Sequence, residues 1–409
     1  VLTLRFRRFL KYGFNSLWNA SLLLENLWRL RVRQPSQAVL NLTSWTCQTS
    51  RKRLKLSSSS EFTGAPSELF STGGMPAIKP TDVPANDKDY DQALSLLTQN
   101  PAERRLDIRM PYSQYLKLEK SWSKFKAENN IPEEKKYPSL SYNALMQIAT
   151  VVTTQSALRD RTAAALRKII ESNVNEYLSV HKPSERRRIT DNASTTMKEL
   201  SPHGRTSKEA DESLMYDGPD REPRLQVAIE CGFSENYKDL CRDKDLWIGH
   251  LAAKVVILIC LNEAPRFNNP GPPYENITDP VAEVKKMRQH AVVAMKHNLE
   301  QGVNGPIEYR SHMWVGKLDE VFVEVWRAGE EQPVRKWLIR DGHLNRLPKT
   351  VGLKISDFFP EDVWAAIKIA DSVSFRGGGD LLDSLRGSMQ LTASMRFIDF
   401  LYSLGLPKS

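Results

Sequence analysis

Hydrophobic residues recur at every second position in one stretch of the chain and at every third or fourth position in several others. Between 225 and 231, Leu225, Val227, Ile229 and Cys231 alternate with Gln226, Ala228 and Glu230, the two-residue period of a strand. Upstream, 211–216 reads as a partner strand, and Asp217-Gly218-Pro219-Asp220 supplies the turn between the two. Downstream, Tyr237, Leu240, Cys241, Trp247, Ile248 and Leu251 line one side of a helix predicted over 235–249. The run 254–261 is short, apolar and rich in Val and Ile, which suits a strand buried on both faces. The predicted order is therefore strand, turn, strand, helix, strand.

The same reading predicts mainly helices before this stretch and strands after it. Helices are expected over 92–97, 113–129, 141–154 and 157–180; in the last, Leu158, Leu166, Ile169, Ile170, Val174 and Leu178 form an inward stripe. A first strand is expected over 196–200, followed by a turn at Ser201-Pro202-His203-Gly204. Beyond the central stretch come a helix over 281–299 and antiparallel segments over 307–315, 320–326 and 334–340 that extend the sheet. Helices over 363–370 and 380–402 close the pattern. The expected organisation is a basic, Ser/Pro-rich arm over 1–90, a helical region over 91–155, an α/β domain over 156–370, and a linker with a C-terminal helix over 371–409.

Charge changes the picture at one end only. The chain carries +9 overall, yet residues 1–60 hold eleven lysines and arginines against one acid, Glu25, so the remainder is close to neutral. General attraction for phosphate therefore belongs to the arm. The Arg-rich, aromatic segment over 1–34 suits a mitochondrial transit peptide, a segment for a membrane surface or acidic partner, or an accessory segment with no fixed fold. Arg51-Lys52-Arg53-Leu54-Lys55 reads as a nuclear-import patch, which favours the nucleus over the mitochondrion. Four cysteines without zinc spacing fit a reducing, intracellular compartment, and no apolar run approaches the ~18 residues of a transmembrane helix. Oligomeric state is not legible. Arg186-Arg187-Arg188 is a candidate phosphate contact, and Gly377-Gly378-Gly379, with no following GK[ST], reads as a linker.

The chemistry centres on Asp211 and Glu230, which the predicted hairpin can bring side by side. Two convergent carboxylates make a hard oxygen site for Mg²⁺ or Mn²⁺, and such a cation can polarise a phosphodiester and activate water. The surrounding motifs are Lys208-Glu209-Ala210-Asp211, then Ile229-Glu230-Cys231-Gly232-Phe233-Ser234, then Asp243-Lys244-Asp245-Leu246-Trp247-Ile248, then Lys254-Val255-Val256-Ile257-Leu258. In that order and spacing they resemble the PD-(D/E)XK nuclease-like superfamily, in the version found in uncharacterised fungal proteins. The close match covers about an eighth of the chain.

The resemblance implies a restriction-endonuclease-like α/β core of helix, three-stranded meander, helix and strand, with a helical N-terminal region and added antiparallel strands. It also implies a metal at Asp211 and Glu230. The superfamily's lysine falls two residues after the glutamate, where this chain has Gly232. A lysine from elsewhere would then assist, and Lys238 and Lys244 on the following helix are the candidates. The expected function is a metal-dependent phosphodiesterase acting on nucleic acid. The alternative is an inactive nuclease-fold protein that binds nucleic acid or a protein partner.

Overall fold

The computed structural model describes residues 86–404 apart from 100–104, 132–137, 154–155, 186–187, 192–195, 202–203, 219–221, 234–235, 271–276, 296–303, 346–350 and 373, all within the compact unit Pro76–Ser409. Residues 1–85 of the basic arm, with the nuclear-import patch, and Arg186, Arg187 and His203 lie outside the described residues; the last positions of the expected arm, from Asp87, are already helical. The described chain is a mixed α/β structure.

Its first part is α1 (Asp87–Gln99), β1 (Arg105–Arg109), α2 (Tyr112–Glu128), β2 (Ser139–Asn143) and β3 (Ile148–Val152). The helix expected over 141–154 is instead the hairpin β2–β3. Residues 144–149, Ala-Leu-Met-Gln-Ile-Ala, carry helix formers, but 144–147 are the turn, and Gln147 sits at φ 52° within it. The β-branched Thr150, Val151 and Val152 that follow favour the pleated surface. Tyr142, Ala149 and Val151 point into a core shared with Leu97, Leu118 and Trp122 of the two helices.

This sheet borrows two strands from later in the chain, β5 (Thr196–Ser201) and β6 (Gly204–Glu209), in the order β1-β3-β2-β6-β5. The segment read as the first strand of the central meander is thus β5 of a different sheet.

The larger sheet follows α3 (Ala157–His181). Its strands are β4 (Ile189–Asp191), β7 (Glu212–Asp217), β8 (Pro223–Phe233) and, after α4 (Tyr237–Gly249), β9 (Val255–Ala264). Past α5 (Pro280–Ala294) and the small hairpin β10 (Ile307–Tyr309) and β11 (His312–Val315), it gains β12 (Lys317–Arg327), β13 (Val334–Arg340) and β14 (His343–Leu344). The order is β14-β13-β12-β9-β8-β7-β4, with β8 and β9 parallel and every other neighbour antiparallel. The α4 crossover is what permits the parallel pair. The chain closes with α6 (Glu361–Ile367) and α7 (Gly378–Ser403).

The two faces of this sheet are buried differently. On one, Val227, Ile229, Ile257 and Val323 meet Leu166 and Ile170 of α3 and Met389 and Phe397 of α7. The expected appended C-terminal helix is therefore a structural wall of the core, with its first cap at Gly377, whose φ of 106° favours glycine. On the other face α4 lays Leu240, Leu246 and fully buried Trp247 against Ala228, Val256 and Leu258. With both faces covered, Gln226 and Ala228, which alternate with the apolar positions of β8, are buried as well. Among the described residues no helix is long and apolar enough to cross a membrane.

Candidate active site

Asp211 is the last residue before β7, and Glu230 lies in β8, opposite the start of that strand through the Glu212–Ile229 pairing. The two acids are joined by one guanidinium. Arg159, in the first turn of α3, donates from Nε to Asp211 Oδ2 at 2.9 Å and holds Nη2 3.7 Å from Glu230 Oε2. Asp211 Oδ2 also accepts from the Cys231 backbone N–H at 2.8 Å, which ties the loop before β7 to β8.

Glu230 Oε1 receives the Trp247 indole N–H at 2.6 Å, and its other oxygen, Oε2, is buried without a hydrogen-bond partner. The ammonium of Lys208, on β6, stands 3.4 Å from Glu230 Oε1 and 3.1 Å from Asp243 Oδ2. Asp243, on α4, is held in turn by a bidentate pair from Arg105 of β1, at 2.9 and 3.1 Å. The site is thus assembled from both sheets and α3: β1 and β6 deliver cations to acids on α4 and β8, and α3 delivers Arg159 to the acid at the entry to β7.

Gly232 has no room for a side chain. A Cβ built there would lie 2.5 Å from Leu240 Cδ1 and 2.9 Å from its Cγ, so α4 packs where a side chain would begin. Neither candidate replacement reaches the acids. Lys238 is exposed in the first turn of α4, and Lys244 lies 4.3 Å over the Trp326 ring and pairs with Asp245. The inward stripe of α4 places Lys244 on the side of β12, not of β8. The lysine that does stand beside Glu230 is Lys208. Its place in the first motif was visible, three residues before Asp211, but its strand had to leave the larger sheet for it to arrive from the side.

Burial sets the electrostatics. Lys208, Asp211, Glu230 and Asp243 are 7, 5, 0 and 6% exposed. Burial pushes the Glu230 pKa up, Lys208 opposes it, and the charges of Asp211 and Asp243 add to the rise, leaving it at about 7. For Asp243 burial acts the same way, but Lys208 and Arg105 outweigh it and hold the carboxyl well below its ordinary range. Burial would lower the Lys208 pKa; Asp243 and Glu230 more than offset it and raise it. Burial and the adjacent Asp211 push the Cys231 thiol up, which favours its neutral form.

Among the described residues no three His, Cys, Asp or Glu side chains gather as they would round a metal ion. Two carboxylates nonetheless suit Mg²⁺, which takes its remaining ligands from water and substrate phosphate. Glu230 Oε2 is a buried acceptor that a cation would satisfy. Arg159 now fills that role for both acids, so a metal fits only with the guanidinium withdrawn. In comparisons with protein-family models, curated proteins and solved structures, none matches the chain.

Proposed function

We propose that this chain is a nuclease-fold protein of the PD-(D/E)XK type whose site Asp211–Glu230–Lys208 hydrolyses phosphodiesters of nucleic acid with a divalent cation. The observation that carries the reading is Lys208, which stands at Glu230 where Gly232 leaves no room for the superfamily's lysine. With β5 and β6 set aside in the other sheet, the succession α3, β4, β7, β8, α4, β9, in which only β8 and β9 are parallel, supports the restriction-endonuclease-like reading of the core. Asp211 and Glu230 would hold Mg²⁺ or Mn²⁺, which supplies charge to the phosphoryl oxygens and lowers the pKa of water. Without a cation, Glu230, pushed up to about 7, is suited to hold a proton on Oε2, and a cation bound there would take the proton's place. The Lys208 ammonium, fixed by Asp243, is suited to stabilise negative charge as it develops. Arg159, once released, is suited to a phosphate.

A second reading, an inactive relative that works by binding, is favoured by one observation. Asp211, Glu230 and Asp243 are balanced within the protein by Arg159, Lys208 and Arg105, and the acids and Lys208 are nearly sealed from solvent. Thermal unfolding with Mn²⁺ and cleavage of labelled single- and double-stranded oligonucleotides separate the two. The hydrolytic reading expects Mn²⁺ to raise the wild-type Tm, by mass action on the folded state, and Asp211→Asn to abolish the rise. It expects Lys208→Met to keep the rise and to lose cleavage by two orders of magnitude or more. Neither a Tm rise nor cleavage in the wild type leaves the binding reading.

A further inference from the structure

The face of the larger sheet that α4 covers over β8 and β9 continues onto β12 and β13, which α4 meets through Tyr237, against Phe322 and Glu324, and Lys244, over Trp326. The residues there are not a plain hydrophobic surface. β12 presents Phe322, Glu324 and Trp326, and β13 sets Trp337 opposite Phe322 and Arg335 opposite Glu324. Glu324 is fully buried, and every contact it makes orients a neighbour. Tyr237 donates its hydroxyl to both carboxylate oxygens at 3.0 and 2.8 Å, the Trp326 indole N–H donates at 3.0 Å, and Arg335 Nε donates at 2.6 Å. One carboxylate thus fixes two rings and a guanidinium in a single arrangement.

Cations lie over these rings. The Arg335 guanidinium is 4.3 Å from the Phe322 ring centre, that of Arg340 is 5.3 Å from Trp337, and the Lys244 ammonium is 4.3 Å from Trp326. Trp326, Trp337 and Tyr237 keep part of their surface in solvent. Trp326 lies four positions along β12 from Phe322, the partner of Trp337, so the two indoles are about 14 Å apart along the strands. Arg335 sits between them.

We infer that this outer face of β12 and β13 binds single-stranded nucleic acid. Partly exposed rings held in place offer stacking to any base, and cations beside them meet the phosphates. The complementarity is to anions. Glu324 is buried and fully hydrogen-bonded, and the other acids paired here, Asp245 and Asp341, are 67 and 82% exposed, so phosphates can replace them. A duplex hides its base faces and does not fit. The inference does not rest on hydrolysis, since binding needs no cleavage.

Anisotropy of a labelled twelve-residue oligothymidylate, with the full chain in EDTA, tests it. Binding should quench tryptophan fluorescence. Trp337→Ala should weaken affinity at least five-fold, and Trp337→Phe should stay within about three-fold because a ring remains. Arg340→Glu, at a side chain 61% exposed and so harmless to the core, should weaken binding and flatten its salt dependence. Binding read in EDTA, with no cation to support cleavage, separates this result from the fate of the hydrolytic site. Wild-type affinity in both Trp337→Ala and Arg340→Glu would overturn the inference, assigning binding to the basic arm. Equal affinity for a polyglutamate peptide would overturn it too.

Discussion

Replacing Glu230 by Gln should change how stability depends on pH, not only how large it is. Glu230 has no exposure, and its pKa of about 7 compares with an ordinary 4.5. Between those values the unfolded chain releases the proton while the folded chain keeps it. Folding therefore takes up a proton in that window, and stability falls as pH rises, with the loss complete just above pH 7. The whole rise corresponds to about 3 kcal/mol, of which about 2–3 kcal/mol falls between pH 5 and 8. The amide introduced by Glu230→Gln cannot titrate and keeps nearly the same shape. The difference in unfolding free energy between variant and wild type should thus move by about 2–3 kcal/mol in favour of the variant from pH 5 to 8. Urea unfolding across that range, followed by circular dichroism, measures it. Saturating Mn²⁺, by favouring the carboxylate, should flatten the wild-type curve. Parallel curves for the two proteins, within about 0.5 kcal/mol, would refute the view that Glu230 is held near neutrality by burial against its neighbouring acids.

Three further outcomes follow from the same contacts. Gly232→Ala should destabilise by about 1–3 kcal/mol, read as a lower urea midpoint, because its Cβ meets buried Leu240 at 2.5 Å. Trp247→Phe should cost about 1–3 kcal/mol in the same assay and raise the Glu230 titration further, since the carboxylate loses the 2.6 Å indole donor. Arg105→Met should cost about 3–5 kcal/mol, because Asp243 loses its bidentate partner in a buried setting, and the loss should shrink when Asp243→Asn is added.

Much of the fold was legible from local periods. The alternation of β8, the apolar run of β9 and the stripe of α3 each mark an element within a few consecutive residues, and the strands and helix appear within two or three residues of the expected bounds. The misreadings arise where local preference and tertiary need diverge. The Ala-Leu-Met-Gln run at 144–147 favours a helix in isolation but serves as a turn because Tyr142 and Val151 are needed side by side in a sheet core. The segment 196–200 has the composition of a strand, and nothing in it says which sheet it joins.

The candidate site divides along the same line. Asp211 and Glu230 were findable because a hairpin is a local structure, and a turn of fixed length decides which residues of its strands are neighbours. Their partners were not. Arg105, Arg159, Lys208 and Asp243 sit on β1, α3, β6 and α4, and no periodicity relates one to another. Only the packing of the five-stranded sheet against the seven-stranded one brings two of those cations to acids of the other sheet, and only the proximity of Leu240 denies Gly232 a side chain. The strands and the pair of acids depend on neighbours in the chain, so the order of residues was enough to place them. Which charges meet that pair was settled by packing, because burial must match every acid with a cation wherever in the chain that cation lies.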